Sequence, residues 1–412
     1  MQNLPLDILH ESIDRFVDWL DAYGPVSRDH QSYFAGPVGR RAKSLYYRNR
    51  VLGTLAVAPM IFSEAFLPQA RSMFGYRLRF PIADAHYAMG LASLAKATGE
   101  QRHLNAARQY LNALIASRSP GYEHYGWGYP FDWVTQTGVM PAGMPLITTT
   151  PYVYEAFEAV YAQDGDERWF EIMASIAAHG FEDIPDQLVS EKSASAGYNP
   201  VDNVFGVVNA SAYRAFLLTS AAIRFERDDY REVADRNLSF VLDAQQTDGS
   251  WPYSADGTRD FVDHFHTCFV LKALAKIENL TGDVRCSDAI SAGVYYYVDN
   301  LFDEAGLPKP FSKAPRLTVY EKELYDYAEC LNLCGLLLGR YPSLDERLHS
   351  TLSDTLERWQ RRSGAFRARK LRLGWDNVPM HRWAQSQIFH ALCLLAVKMD
   401  AAEPNSVQKA GV

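Results

Sequence analysis

Apolar residues along the N-terminal part of the chain follow the spacing of an amphipathic helix. Between Leu6 and Tyr23 they occupy one helical face, at Ile8, Leu9, Ile13, Phe16, Val17 and Leu20. Residues 24–41 form a polar loop, and the pattern predicts a second helix over much of 42–66. From there a helical hairpin recurs about every 55–64 residues, which is longer than the period of the usual short solenoid repeats.

Each predicted hairpin has two helices joined by a short polar turn. The first helices are predicted to start near Ile82, Thr148, Val207, Asp260, Glu321 and His381, and the partner helices near Gln101, Glu167, Asp228, Asp283 and Asp345. The sixth first helix has no partner after it, and the N-terminal helix can take that place by closing a ring. We therefore predict an all-α fold, an (α/α)6 toroid over residues 1–400, followed by a disordered tail at 401–412. An open helical solenoid is the alternative.

Composition narrows the classes of protein that remain. A net charge of −8 argues against a nucleic-acid binder, which needs a basic surface. The five scattered cysteines form no CxxC pair, and the N-terminus has no secretory signal pattern, so we expect reduced thiols and a cytoplasmic protein. The most apolar stretch, Val51 to Phe66, is too short to cross a bilayer and is interpreted as a buried helix. Peripheral membrane contact is left open.

Long loops between the hairpins place the candidate chemistry at one end of the ring. They lie near 118–147, 180–206, 245–260, 301–320 and 362–380, and loops of this length are uncommon unless they are functional. The first helices would form the inner wall, with their N-termini directed toward these loops. Their first turns are polar, as at Asp84, Asn209 and Ser211, which suits a wet cavity better than a solid apolar core.

Candidate proton-transfer groups lie at these helix starts and in the loops. They are Asp132, His264, His266, Tyr327 and Glu329. Histidine transfers protons near neutral pH, and Asp263 with His266, or Asp260 with His264, can pair as carboxylate and imidazole. Two such groups on opposite walls would suit epimerase, lyase or glycosidase chemistry. Each group taken alone also fits a helix cap or a hydrogen-bonded inner residue.

Candidate ligand-binding residues are aromatic, basic or amide side chains near the same loops. The set is Trp127, Tyr129, Trp251, Tyr253, Arg367, Arg369, Trp375, Arg382, Trp383 and Gln387. Aromatic rings would stack on sugar faces, and arginine pairs geometrically with carboxylate or phosphate, which suggests an anionic ligand. For Trp251, packing between hairpins is an equal alternative, and the basic cluster at 367–372 also fits a solvated turn.

Motifs for metal and nucleotide chemistry are missing from the sequence. There is no GxGxxG after a strand, no GxxxxGK[ST], no HExxH and no GxSxG. His264 and His266 point to different sides of a helix, which makes them poor joint ligands for a metal. We therefore expect neither a metal nor another cofactor.

The segment Gln245-Gln-Thr-Asp-Gly-Ser-Trp251 resembles the QW repeat of squalene and terpene cyclases and related prenyltransferase toroids. This resemblance supports a toroid. The acidic DxDD motif of the cyclases is absent, as is the aspartate-rich motif of terpene synthases. Terpenoid cyclase or prenyltransferase-like activity is therefore kept as the alternative function.

A second resemblance covers most of the chain. The run Leu373 to Leu392, the segment Val207 to Tyr213 and the arrangement Asp248 to His266 are similar to helical toroid proteins of bacterial capsule and exopolysaccharide gene clusters. That group shares its shape with sugar epimerases, glucuronyl hydrolases and polysaccharide lyases. The resemblance implies a carbohydrate-active protein of polysaccharide biosynthesis that acts on an anionic or lipid-linked glycan, with other biosynthesis proteins as partners. A non-catalytic glycan-binding subunit is a further alternative.

Overall fold

Six inner helices form a closed ring. The computed structural model describes residues 6–136, 138–201, 205–315 and 318–402. Within these ranges the inner helices are α5 (Pro81–Thr98), α7 (Thr150–Asp164), α9 (Val208–Phe225), α11 (His264–Thr281), α13 (Leu324–Leu336) and α15 (Ser386–Ala402). Each packs on the next, and α15 packs on α5. They are buried on most sides, so their apolar residues are not confined to one face.

The outer helices pack against the inner ring, one for each inner helix. They are α6 (Gln101–Ala116), α8 (Glu167–Ala178), α10 (Asp228–Asp243), α12 (Val284–Asn300), α14 (Pro342–Asp354) and the N-terminal α1 (Leu6–Tyr23). Because α1 packs on α15, the two ends of the chain complete the sixth hairpin. The predicted all-α (α/α)6 toroid is confirmed. Residues 401–402 of the predicted tail belong to the end of α15, and 403–412 lie outside the described residues.

Glycine in the left-handed conformation ends three of the inner helices. Gly99, Gly165 and Gly282 follow α5, α7 and α11 with φ of 71°, 64° and 70°. This conformation is easily reached only without a Cβ atom, and it turns the chain sharply after the last helical residue. The polar turns that the sequence places between paired helices therefore have a local physical cause.

The loops at the N-terminal ends of the inner helices contain short antiparallel strands. The pairs are β1 (Trp133–Val134) with β2 (Val139–Met140), β3 (Asp186–Ser190) with β4 (Ser193–Ala196), and β5 (Val262–Asp263) with β6 (Phe311–Lys313). A three-stranded sheet joins β7 (Tyr320–Glu323), β8 (Arg369–Leu371) and β9 (Trp375–Asp376) in that order. These strands fix the loops around one mouth of the ring.

A helical insertion lies between α1 and α5. It contains α2 (Ser32–Ala35), α3 (Pro37–Arg48), α4 (Arg50–Phe66) and a 3-10 turn at Pro68–Met73. The sequence predicts a polar loop up to residue 41, whereas α3 already begins at Pro37. The interpretation of Val51 to Phe66 as a buried helix is wrong, because one face of α4 is exposed along its length. In the described ranges no helix combines the length and apolar character needed to cross a membrane.

Candidate functional site

A cavity of about 510 Å³ lies where the N-terminal ends of the inner helices meet. All six helix starts contribute to its wall, through Ile82, Thr148, Tyr152, Asn209, Tyr213, Asp263, His266, Glu323, Tyr325 and Trp383. The loops and the insertion add His30, Tyr129, Trp133, Tyr198, Tyr253, Tyr320 and Arg369. Distant segments of the chain thus converge at one mouth.

Asp263 and His266 form the best-oriented proton-transfer pair in the cavity. Asp263 is the N-cap of α11, and its Oδ1 accepts the backbone N–H of His266 at 2.9 Å. Its Oδ2 lies 2.7 Å from Nδ1 of His266. Because a carboxylate only accepts hydrogen bonds, Nδ1 carries the proton and Nε2 of the neutral ring has the free lone pair. Among the described residues none hydrogen-bonds to this Nε2.

A buried ionic network holds the opposite part of the wall. Glu64 on α4 accepts hydrogen bonds from Nδ1 of His30 at 2.5 Å, from Arg71 at 2.9 Å and from Arg369 at 2.8 Å. Nε2 of His30 lies 3.3 Å from Oε1 of Glu323, which also accepts from Arg369 at 2.8 Å. The network ties the insertion to the β7–β9 sheet and places the His30 ring in the cavity wall.

Opposite charges keep both glutamates of this network ionised. Burial alone would raise the pKa of Glu323, but Arg369 and the neighbouring His30 ring outweigh it and lower the pKa to about 2. Burial is likewise outweighed at Glu64, where His30, Arg71 and Arg369 hold the pKa far below its usual value. His30 is therefore held between two carboxylates.

The same network contains a group of possible metal ligands. Atoms of His30, Glu64 and Asp376 lie within 4.8 Å of one another. However, Arg71 donates to both Glu64 and Asp376, at 2.9 Å and 2.5 Å, and Arg369 also donates to Glu64. The guanidinium groups already supply the positive charge that a metal would bring, so the donor set does not fit a metal ion.

Aromatic rings make up most of the remaining wall. Tyr325 lies nearly parallel to Trp383, with ring centroids 5.9 Å apart, and stacks on Phe265 at 5.0 Å. Tyr253 meets the edge of the His266 ring at 4.6 Å. These rings offer flat apolar faces beside a few polar groups, a combination typical of sites for small organic ligands.

Below the cavity the ring axis is filled by polar side chains. Nζ of Lys272 lies 2.6 Å from Glu329 and 3.3 Å from the hydroxyl of Tyr152, which contacts the hydroxyl of Tyr213 at 2.8 Å. His86 packs on Tyr152, with ring centroids 4.5 Å apart. The axis is therefore polar, as the sequence predicts, and these side chains occupy it below the cavity.

Five of the residues proposed from the sequence are brought together in the cavity wall. They are Tyr129, Tyr253, His266, Arg369 and Trp383. Arg369 is already paired with two carboxylates, so its charge is largely neutralised.

The other proposed proton-transfer groups lie elsewhere. His264 is buried, accepts from the hydroxyl of Tyr297 at 2.6 Å and contacts the carbonyl of Leu301 at 3.2 Å, so it links α11 to α12. The hydroxyl of Tyr327 donates to Asp354, outside the inner ring. Glu329 is paired with Lys272 beneath the cavity. Asp132 binds Arg40 in a separate surface groove. None of these four side chains lines the cavity.

Several proposed binding residues have packing roles instead. Trp127 and Trp251 are buried, and their indole N–H groups donate to the carbonyls of Leu114 and Val241 at 2.8 Å and 2.9 Å. For Trp251 this is the packing alternative that the sequence left open. Neither ring has a face left for a ligand.

The remaining four proposed binding residues also lie away from the cavity wall. Arg382 is fully buried, pairs with Asp29 at 2.8 Å and lies 3.8 Å from the Trp383 ring centre, so it supports the wall from behind. Arg367 stacks on Trp375 outside the cavity. Gln387 is buried on α15 below the mouth. The expected cationic binding set is thus not assembled.

Sequence reasoning missed His30 and the ionic network around it. His30 lies in the stretch that the sequence predicts to be a polar loop, and its partners come from α4 and β7. A single histidine beside Asp29 carries no spacing signal. Only tertiary structure brings it beside Glu323.

Comparisons with known proteins identify the architecture. No protein-family model and no curated protein matches the chain. Among solved structures, a cellobiose 2-epimerase from Bacillus thermoamylovorans is similar at a TM-score of 0.58 and 9% identity, over 78% of this chain and 88% of that chain. An unsaturated glucuronyl hydrolase from Streptococcus agalactiae is similar at 0.58 and 10%, over 96% and 92%.

A third solved structure extends the range of chemistry found on this architecture. The α-1,6-mannanase from Salegentibacter is similar at a TM-score of 0.57 and 13% identity, over 79% of this chain and 90% of that chain. Identities this low show shared fold and not shared activity. The chain therefore has the fold found in sugar epimerases, glucuronyl hydrolases and mannanases.

Proposed function

We propose that this protein is a carbohydrate-active enzyme that uses acid–base chemistry on a saccharide bound in the cavity. The observation that carries the proposal is the Asp263–His266 pair, which presents an oriented imidazole to a cavity lined with aromatic rings. Epimerases, lyases and hydrolases of carbohydrates share the fold, which makes the proposal consistent with the comparisons.

The geometry suggests how protons would move. Nε2 of His266 would take a proton from a C–H next to a carbonyl or from a hydroxyl, while Asp263 stabilises the imidazolium that forms. His30, which lies between Glu64 and Glu323, would return a proton from another part of the wall. Two proton carriers of this kind suit epimerisation or elimination better than direct hydrolysis.

The substrate class follows from the wall. Stacked rings at Tyr325 and Trp383 suit the apolar faces of sugar rings, and hydroxyls of the sugar can reach Asn209 and Tyr213. Since Arg369 is paired and Arg382 is buried, we propose that the unit in the cavity is a neutral sugar. An anionic or lipid-linked glycan of polysaccharide biosynthesis remains a proposal for the larger substrate, as does a cytoplasmic location.

Solvent-deuterium exchange tests the proposal. The purified protein is incubated in D2O with a panel of reducing disaccharides and uronate-containing oligosaccharides, and deuterium at sugar carbons and new products are followed by NMR. We expect exchange or product with at least one sugar, and its loss in His266→Ala. His10→Ala, which changes an exposed histidine on the outer helix α1, is the control and should leave it intact.

If no sugar in the panel gives exchange or product, the binding results distinguish the two alternative functions. Sugar binding without exchange or product, seen by saturation-transfer NMR, would support a glycan-binding subunit. Absence of sugar binding together with binding of a prenyl diphosphate would support the terpenoid alternative. The polar groups at His30, Asp263 and Glu323 argue against that alternative, because a hydrocarbon site would be lined by aromatics alone.

A further inference from the structure

The α3–α4 hairpin of the insertion has an exposed apolar stripe. Val51, Leu55, Phe62 and Phe66 recur at helical spacing on one side of α4, and Leu55 and Phe62 are 68% and 58% exposed. Of the described residues, half of the large hydrophobic side chains that are exposed lie between residues 38 and 76. Scattered apolar residues are normal on a surface, whereas a concentration of this kind marks an interaction site.

The opposite face of α4 is already fixed to the protein. Met60 packs with Tyr33 and Ala42 in a small core, and Glu64 is held by Arg71 and Arg369. These contacts determine which way the helix faces. The apolar stripe is therefore directed away from the toroid, and it is not the face by which the insertion packs on the rest of the protein.

Positive charge accompanies the stripe. Between residues 37 and 63 the chain has no acidic residue and five cations, namely Arg40, Arg41, Lys43, Arg48 and Arg50, of which Arg40 is paired with Asp132. The tip of the hairpin exposes all residues from Arg48 to Leu52, so cations and apolar side chains occur together there. A groove of about 540 Å³ beside α3 is lined by three of the arginines. This local charge contrasts with the net charge of −8 of the whole chain.

We propose that the α3–α4 hairpin binds the surface of an anionic lipid bilayer. Apolar side chains on one helical face enter the boundary between head groups and acyl chains, and nearby arginines attract anionic head groups. A protein partner would explain the apolar stripe but would not require an excess of positive charge around it. The proposal uses residues outside the cavity and does not depend on the reaction that occurs there.

Vesicle flotation with the full chain tests the proposal. We expect the protein to float with vesicles of phosphatidylcholine mixed with phosphatidylglycerol, and to float poorly with phosphatidylcholine alone. Arg41→Gln with Arg48→Gln should weaken partitioning onto the vesicles roughly thirtyfold. Two cations near an anionic surface together strengthen partitioning by about one and a half orders of magnitude. Leu55→Ser with Phe62→Ser should weaken it more than tenfold even at low salt.

Two control variants and a measurement of melting temperature accompany the flotation experiment. Leu188→Ser changes an exposed leucine on β3, and Arg362→Gln changes an exposed arginine far along the chain; both should float like the wild type. Melting temperatures of all variants should agree, because every changed side chain is at the surface. Absence of flotation with anionic vesicles would overturn the proposal. So would a dimer in light scattering that Leu55→Ser with Phe62→Ser converts to a monomer, since the stripe would then join two copies.

Discussion

Asp263 binds His266 twice, because its Oδ1 accepts the backbone N–H at 2.9 Å and its Oδ2 accepts the ring Nδ1–H at 2.7 Å. One carboxylate therefore starts α11 and also fixes the tautomer of the proposed catalytic imidazole. A cap needs only a side-chain oxygen, whereas tautomer control needs a group that cannot donate a hydrogen bond. The two roles can be separated by substitution.

Asp263→Asn should preserve the helix start and impair the reaction. Asparagine caps helices as well as aspartate, so we expect the free energy of unfolding to change by less than about 1 kcal/mol. The amide NH2 would donate to Nδ1 and leave the proton on Nε2, where it blocks general-base action. We expect turnover to fall on the order of 100-fold or more, measured by initial rates on the sugar identified by deuterium exchange.

Asp166→Asn is the matched control for this prediction. Asp166 caps α8 by accepting the backbone N–H of Arg168, but no imidazole depends on it. Its substitution should leave turnover unchanged. Equal rates for Asp263→Asn and wild type would remove tautomer control from the mechanism.

The ring could be predicted from sequence because its causes are local. Helical periodicity, polar turns and the left-handed glycines at Gly99, Gly165 and Gly282 all act within a few residues. The closure of α1 on α15 followed from counting unpaired helices. The exposed face of α4 could not be predicted, because an apolar helix gives the same pattern whether or not another element covers it.

The site was only partly predictable for the same physical reason. Asp263 and His266 are three residues apart at a helix start, so their pairing is a local property that the sequence can indicate. His30 and Glu323 are far apart in the chain, and only tertiary contacts bring them together. Trp127 shows the opposite case. A glycine-rich aromatic loop suggests a ligand site, yet the Trp127 ring is buried and its N–H donates to the carbonyl of Leu114 at the end of α6.

Glu323→Gln should weaken the protein at neutral pH and reduce its sensitivity to acid. The folded protein holds the pKa of Glu323 at about 2, below the usual 4.5. Its stabilising contribution is therefore present above pH 4.5 and is lost as pH falls through about 2. We expect Glu323→Gln to lower the free energy of unfolding by about 3 kcal/mol at pH 7. This loss should shrink as the pH falls from 4.5 to about 2, and chemical unfolding at a series of pH values measures it.

The exposed Glu346→Gln substitution provides the comparison for Glu323. Its free energy of unfolding should differ from that of the wild type by the same amount at every pH. If the difference in free energy of unfolding between Glu323→Gln and the wild type were also independent of pH, the network would not hold Glu323 ionised.

Asp84→Asn should have the opposite dependence on pH. Burial of Asp84 in the first turn of α5 raises its pKa to about 7, and Arg79 only partly offsets this effect. Between pH 3.8 and about 7 the folded form keeps a proton that the unfolded chain releases, so stability falls as pH rises. Asparagine cannot titrate, and the variant should therefore gain up to about 4 kcal/mol relative to the wild type across this interval.

Chemical unfolding at several pH values checks the Asp84 prediction. Asp14→Asn, on the exposed side of α1, is the control and should show no such gain. A constant difference between Asp84→Asn and wild type from pH 4 to pH 8 would contradict a raised pKa at this site.

The turn after α10 is held by a glutamine and a glycine. Nε2 of Gln245 donates to the carbonyls of Gly249 and of Ala289 on α12, at 3.1 Å and 2.9 Å. Gly249 has φ of 90°, and a Cβ atom there would lie 2.3 Å from the carbonyl oxygen of Ala292. The turn then places the Trp251 ring in the space beside α12, where a Cβ on Gly293 would meet it.

The turn after α14 has the same arrangement. Nε2 of Gln360 donates to the carbonyls of Gly364 and of Ser12 on α1, at 3.1 Å and 2.8 Å. Gly364 has φ of 92°, and a Cβ there would lie 2.0 Å from the carbonyl oxygen of Arg15. Phe366 follows at the position that corresponds to Trp251. A glutamine, a glycine four residues later and an aromatic residue two further on thus join neighbouring outer helices at both places.

Gly249→Ala should destabilise the protein because it strains the backbone and forces α10 and α12 apart. We expect a loss of roughly 2–4 kcal/mol in the free energy of unfolding, the sum of a left-handed alanine and a clash with the rigid backbone of Ala292. Gly257→Ala is the control, since Gly257 also has a positive φ of 75° but no atom within 4 Å of an added Cβ. It should lose only about 1–2 kcal/mol. Urea unfolding of both variants measures the difference, and equal losses would show that the contact with α12 contributes nothing to the stability of the ring.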